Sequence, residues 1–410
     1  MVSDAETMST SAQPLDHRVF PAANSIAQRP LRAKTLSVFS LPWYIWCAAL
    51  AVTSAMVGGQ WDISWHRSIG RDTFWTPAHI AIYMCGVLSG IAFGYLILHT
   101  TFSKASSLKD ASVHIWGFRA PLGAFVASWG GITMLTSAPF DNWWHDAYGL
   151  DVKIVSPPHI VLFLGIFGVI FGTLLLIAGH TNRAKQADKA ASKYMFLYCS
   201  FVLLVLFQVI LDEFTGRTLL HLSLPYVLEG LLVPVVLAIT SRATGVKWAA
   251  TFTAGLYVLF IIGLILLLPL FPATPKLGPV YQNVTHFIPP QFPVLLIVPA
   301  FLLDLLWHRT KSWNPWLISA LSAVVFVVAL VAVEWPLADF LMTPAARNAF
   351  FGAGYLQYGL PPASALARNV FYMVQPPLVF AKGIAVATVF AFLSTRLGLS
   401  RGNWMHSIQR

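Results

Sequence analysis

The scarcity of charge between residues 41 and 395 constrains this chain more than any other feature. Ten stretches there are apolar and long enough, or nearly so, to cross about 30 Å of hydrocarbon. They lie near 41–59, 78–101, 119–138, 158–179, 193–211, 225–240, 248–270, 290–307, 315–335 and 375–395. Hydrophobic residue types make up 57% of the 410 residues and charged types only 10%, too little charge to keep a soluble surface of this size wet. The expected fold is therefore all-α, a polytopic transmembrane bundle of about ten helices arranged as repeated hairpins, with the lipid bilayer as its first partner. The fifteen Trp suit bilayer interfaces.

Residues 1–40 are rich in Ser, Ala, Gln and Pro, lack a long apolar run and read as a disordered cytoplasmic tail. No signal-peptide core precedes the first apolar stretch, so that stretch is expected to stay as a membrane helix. Residues 41–240 hold a duplicated polar motif, and residues 241–410 add further helices without an assigned role. The net charge of +10 is topological rather than a nucleic-acid footprint. In the ten-helix arrangement, 18 of the 26 Lys and Arg fall in the N-terminal tail, the even-to-odd connections and the C-terminal tail. Both termini are then expected in the cytoplasm, with the polar motifs on the periplasmic side of a bacterial inner membrane. Cys47, Cys85 and Cys199 lie in apolar runs at spacings unlike any Cys metal motif, and read as packing residues.

Trp61–Ile80 reads WDISWHRSIGRDTFWTPAHI and Phe140–Ile160 reads FDNWWHDAYGLDVKIVSPPHI. With one gap, Asp62 matches Asp141, Trp65 matches Trp144 and His66 matches His145. Gly70 likewise matches Gly149, Asp72 matches Asp151, Pro77 matches Pro157 and His79 matches His159. Rare residues agreeing at this many places point to duplication. Asp62 and His66 are four residues apart, as are Asp141 and His145, so each pair shares one helix face. His79 and His159 each enter the next helix behind a proline, and a helical hairpin returns that imidazole to the first pair. One Asp-x3-His is more often a hydrogen-bonded clamp. Two copies, each with a third ligand, point to metal sites formed by Asp62, His66 and His79 and by Asp141, His145 and His159. One carboxylate and two imidazoles suit copper, iron(II) or zinc, with positions left open. Asp72 and Asp151 read as supporting or capping groups, and Trp65 and Trp144 as packing and interfacial residues.

The phrase Asp62-Ile63-Ser64-Trp65-His66, followed by Arg71-Asp72-Thr73 and Thr76-Pro77-Ala78-His79, resembles the membrane-embedded C subunit of the particulate methane and ammonia monooxygenases. The resemblance spans roughly residues 40–240. In that family a D-x3-H-x12-H set binds copper, and Asp62, His66 and His79 reproduce its spacing. A second copper set there resembles N-x3-H-x13-H. Asp141, His145 and His159 keep that spacing with an added negative charge where the family has an amide. The resemblance implies copper sites and partner subunits. The chain continues for about 170 residues beyond it.

Charges inside membrane spans are costly, and usually paired or functional. Glu229 falls in the sixth span and Lys382 in the tenth. They are expected either to pair or line a polar cavity, or to snorkel to an interface. Asp212, Glu213, Arg217 and His221 read as a solvated outer loop, and His286 as a degenerate echo of the motif. The leading functional expectation is a copper-dependent, monooxygenase-like membrane component that oxidises a small apolar substrate with O2, with partner subunits or as a homo-oligomer. The alternatives are a non-catalytic copper or zinc binding or delivery protein, and a proton- or ion-linked transporter.

Overall fold

A computed structural model describes residues 41–70, 73–104, 107–149, 155–276, 284–352, 364–365 and 373–409, the side chains of 187 and 218 aside. The expected tail at 1–40 lies outside them. Ten α-helices occur among the described residues: α1 (Trp43–Ser68), α2 (Pro77–Phe102), α3 (Leu122–Tyr148), α4 (Pro157–Arg183), α5 (Gln186–Phe214), α6 (Leu224–Thr244), α7 (Ala249–Leu267), α8 (Ile297–Arg309), α9 (Pro315–Leu341) and α10 (Pro377–Ser407). Each expected span carries one of them. The chain is an integral membrane protein: α2, α4, α5, α6, α7, α9 and α10 are long and apolar enough to cross a bilayer. Their outer faces carry exposed apolar side chains such as Leu259, Val328 and Val389, the lipid-contacting side of an all-α bundle.

Proline at the first helical turn starts α2, α4, α9 and α10, where its missing N–H leaves no bond unmade. The same cue fails at Pro289-Pro290. The eighth span, expected at 290–307, is helical only from Ile297, and its 13 residues reach about 20 Å at 1.5 Å per residue. Residues 287–296 run non-helical through the protein, with Phe287, Ile288, Val294 and Leu296 buried. Side chains from distant elements replace the missing helical bonds. Ser68 Oγ accepts from Ile288 N at 2.7 Å, and Ser64 Oγ donates to Ile288 O at 2.6 Å. Arg217 Nε donates to Phe292 O at 2.6 Å, and Glu334 Oε1 accepts from Leu295 N at 2.7 Å. Tyr257 Oη accepts from Val294 N at 3.2 Å. Non-helical backbone survives at membrane depth only where protein satisfies it in this way.

The helices pack as hairpins, α1 with α2 and α3 with α4, while α6 lies along α10. Glycines set the closeness of α3 and α4. A Cβ on Gly130 would lie 2.5 Å from Val169 N and 2.6 Å from Gly165 O, so the two backbones touch with no room for a side chain. Gly130→Ala is expected to cost about 1–3 kcal/mol through overpacking. The readout is the Tm in detergent, and an unchanged Tm would show that this contact yields without cost. Between α2 and α3, strands β1 (Val113–Ile115) and β2 (Phe118–Ala120) form a two-residue hairpin. Trp116 and Gly117 take its turn at φ 49° and 87°.

Candidate metal centre

Helix α1 runs on past the expected end of its span, so Asp62 and His66 ride on its last turns, one above the other. His79 is the third residue of α2. A Cβ on Gly58 would lie 2.8 Å from Ile82 N, so the absence of a side chain there lets α2 close on α1 one turn from Asp62. His79 Nε2 then sits 3.2 Å from Asp62 Oδ1, and His66 Nε2 sits 3.7 Å from Asp62 Oδ2. One ligand atom from each of Asp62, His66 and His79 lies within 4.8 Å of the others, a group that could hold a metal ion. The three side chains are 15–19% exposed, enough to admit a ligand but not to leave them in bulk water.

The second copy repeats the geometry on α3 and α4. Asp141 and His145 occupy the last turns of α3, and His159 is the third residue of α4, its backbone N–H bonded to the Ser156 hydroxyl that caps the helix. His145 Nε2 and His159 Nε2 each lie 3.5 Å from a different oxygen of Asp141. Among the described residues only the first trio closes to 4.8 Å throughout. Gly70 and Gly149, matched in the repeat, both have positive φ, 98° and 82°. Each turns the chain just past its site helix in a conformation that favours glycine.

The donor set passes a direct test of fit. Asp62 Oδ1 and Asp141 Oδ1 are buried and accept no hydrogen bond. Each lies near an imidazole nitrogen, His79 Nε2 at 3.2 Å and His159 Nε2 at 3.5 Å, an arrangement that suits a metal ion and equally an Asp–His ion pair.

The two copies converge, which their separation in sequence does not reveal. Asp62 and His79 share one small cavity, of about 50 Å³, with Asp141 and His159. A larger cavity of about 180 Å³ opens beside them, with Asp62, His66 and His159 on one part of its wall. The remaining wall is mostly apolar, including Met56, Ile82, Phe163 and Val205, and its other charged residues are Arg67 and Glu213.

The other expected residues fall as follows. Trp65 packs 6.1 Å from the Phe287 ring, and Trp144 packs 4.5 Å from Tyr148. Asp72 and Asp151 lie outside the described residues. Glu229 is buried beside a small cavity whose open surface is apolar, and Gln208 Nε2 donates to its Oε2 at 2.8 Å. Lys382 is exposed on α10. His286 is exposed beside the Thr285 hydroxyl.

The solvated loop expected around residues 212–221 holds in part: Glu213 is exposed, but Arg217 and His221 are interior. Arg217 and His221 are each 1% exposed. Arg217 Nη2 meets Asp212 Oδ1 at 2.7 Å. Burial works against its cation, but Asp212, with Tyr257, Glu334 and Glu229 nearby, more than offsets this and holds the guanidinium above its ordinary pKa. His221 Nε2 lies 3.3 Å from Asp339 Oδ1, edge-on to Trp335. Burial lowers the His221 pKa, and Asp339 opposes that shift. No local pattern marks these residues as buried, because their partners come from α5, α9 and the 287–296 segment.

No family model, no curated protein and no solved structure matches the chain.

Proposed function

We propose that the chain is a copper-dependent, monooxygenase-like membrane component that oxidises a small apolar substrate with O2. In this reading Asp62, His66 and His79 hold one copper ion, and Asp141, His145 and His159 hold a second. The observation that carries it is a closed carboxylate–imidazole trio opening onto a largely apolar cavity. Copper held by such donors supplies one-electron chemistry towards O2. Each Asp fixes two imidazoles and lowers the net charge of a site in low dielectric. Met56, Ile82, Phe163 and Val205 keep water from the cavity and favour an apolar molecule arriving from the bilayer. Glu213 places a carboxylate on the same wall, a base able to take or return a proton. The distribution of Lys and Arg supports a reading in which the sites lie towards the periplasmic side of a bacterial inner membrane, with both termini cytoplasmic. Partner subunits, or further copies of the chain, would complete the assembly.

The partial exposure of the trio also favours a second reading, a protein that binds or delivers copper or zinc without catalysis. Elemental analysis and O2 consumption on protein from native-like membranes separate the two. The expected result is copper near two per chain together with substrate-dependent O2 uptake. Under graded chelation the Asp141 set should empty first, since its trio does not close to the same distance. Copper without O2 uptake favours delivery. Failure to bind added copper removes both readings and brings proton- or ion-linked transport forward.

A further inference from the structure

Away from the metal trios, α5, α6, α9 and the turn Arg217–Leu219 surround a second polar interior. Asp212 on α5, Arg217, Glu229 on α6 and Glu334 on α9 meet there, with Gln208, Tyr226 and Tyr257 as their uncharged neighbours. Arg217 and Glu334 are 1% exposed and Glu229 is 3% exposed. Arg217, Glu229 and Glu334 border a cavity of only about 10 Å³, whose open surface is apolar.

We propose that Glu229 and Glu334 form a proton-binding site within the membrane, in which one exchangeable proton is held beside Arg217. Three observations carry this. The charges do not cancel: Arg217 is already paired with Asp212 and faces two further carboxylates, while the other nearby cation, Arg67, acts on Asp212 and Glu213. A carboxylate buried without a counter-charge takes up a proton rather than remain ionised. The hydrogen bonding is also incomplete in a specific way. Arg217 Nη1, Glu334 Oε2 and Gln208 Oε1 are buried without a protein partner, and the two charged residues line the cavity. A proton on either carboxyl supplies a donor where the side-chain packing leaves these buried acceptors without one. Finally, both glutamate helices are interrupted by proline near the site, α6 at Pro234 and α9 at Pro336. Each proline leaves the carbonyl four residues earlier, at Gly230 and Ala332, without its helical donor and adds polarity to the membrane interior.

A purely structural role accounts for only part of the cluster. Arg217 Nε and Glu334 Oε1 anchor the 287–296 segment, but Arg217 Nη1, Glu334 Oε2 and the whole Glu229 carboxylate take no part in that anchoring. The proposal is independent of copper, so either can fail alone. Asp212, the ion-pair partner of Arg217, is next in sequence to Glu213, which lines the metal-side cavity.

The chain contains four glutamates, Glu6, Glu213, Glu229 and Glu334, which makes isotope labelling nearly site-specific. The test is infrared spectroscopy of the full chain in lipid, grown with carbon-13 glutamate in a Glu6→Gln/Glu213→Gln background. The expected result is a protonated-carboxyl band at neutral pH that shifts with the label, shifts again in D2O, and is lost on adding Glu229→Gln or Glu334→Gln. Glu334→Gln retains an oxygen to accept from Leu295 N, so the segment stays anchored. Absence of a label-sensitive acid band overturns the proposal even if neither added variant folds. A band that does not respond to D2O, or that survives both substitutions, overturns it equally.

Discussion

A His66→Ala/His145→Ala variant is expected to leave the membrane folded and stripped of metal. Each imidazole is one of three protein donors, and its loss leaves a site with two. Loss of a group that only supports a ligand typically weakens metal binding about 10–100-fold. Loss of the ligand itself should weaken it by at least about 100-fold, enough to empty both sites during purification. The fold should survive. Both imidazoles are partly exposed at the ends of α1 and α3, outside the core that α1–α10 share. Elemental analysis of the double variant beside each single variant gives the check. His66→Ala alone should remove about one metal per chain, and unchanged content in that variant would eliminate the first site.

Arg217→Ala is expected to have the largest effect on stability. The substitution deletes the bonds to Phe292 O and Asp212 and leaves Asp212, Glu229 and Glu334 facing one another without a cation. Removing one partner of a buried ion pair costs about 3–5 kcal/mol. Against a total stability of about 5–15 kcal/mol, that is a large fraction and should lower both yield and Tm in detergent. Arg217→Lys keeps the charge but not the planar fork that reaches both partners, and should recover only part of the loss. Yield of monodisperse protein and Tm are the readouts. An alanine variant as stable as wild type would mean that Arg217 does not hold the cluster together.

Much of the fold was legible because lipid leaves the backbone few choices, and a long apolar run within it must be helical. The two Asp-x3-His pairs were legible for a similar reason, since four residues bring side chains onto one helical face. What stayed hidden depends on neighbours distant in sequence. The 287–296 segment has the composition of a span and a double proline of the kind that starts helices. It is nevertheless non-helical, because Ser64, Ser68, Arg217, Tyr257 and Glu334 offer its backbone other partners. Arg217 reads as a loop cation until α5, α6 and α9 close around it. The shared cavity between the two polar phrases requires the glycine-lined closeness of α1 to α2 and of α3 to α4. None of these contacts has a local spacing rule.

The bonds from Ser64 and Ser68 to Ile288 bridge 224 and 220 residues. Synthesis proceeds at about 5–20 residues per second. The polar end of α1 therefore waits on the order of 10–45 s for the segment that clamps it. During that interval the six helices α2–α7 emerge while Asp62 and His66 stand on a helix end that lacks this clamp. Bracing of the helix end that carries Asp62 and His66 is thus a late step of biogenesis, and it depends on the half of the chain that carries neither trio.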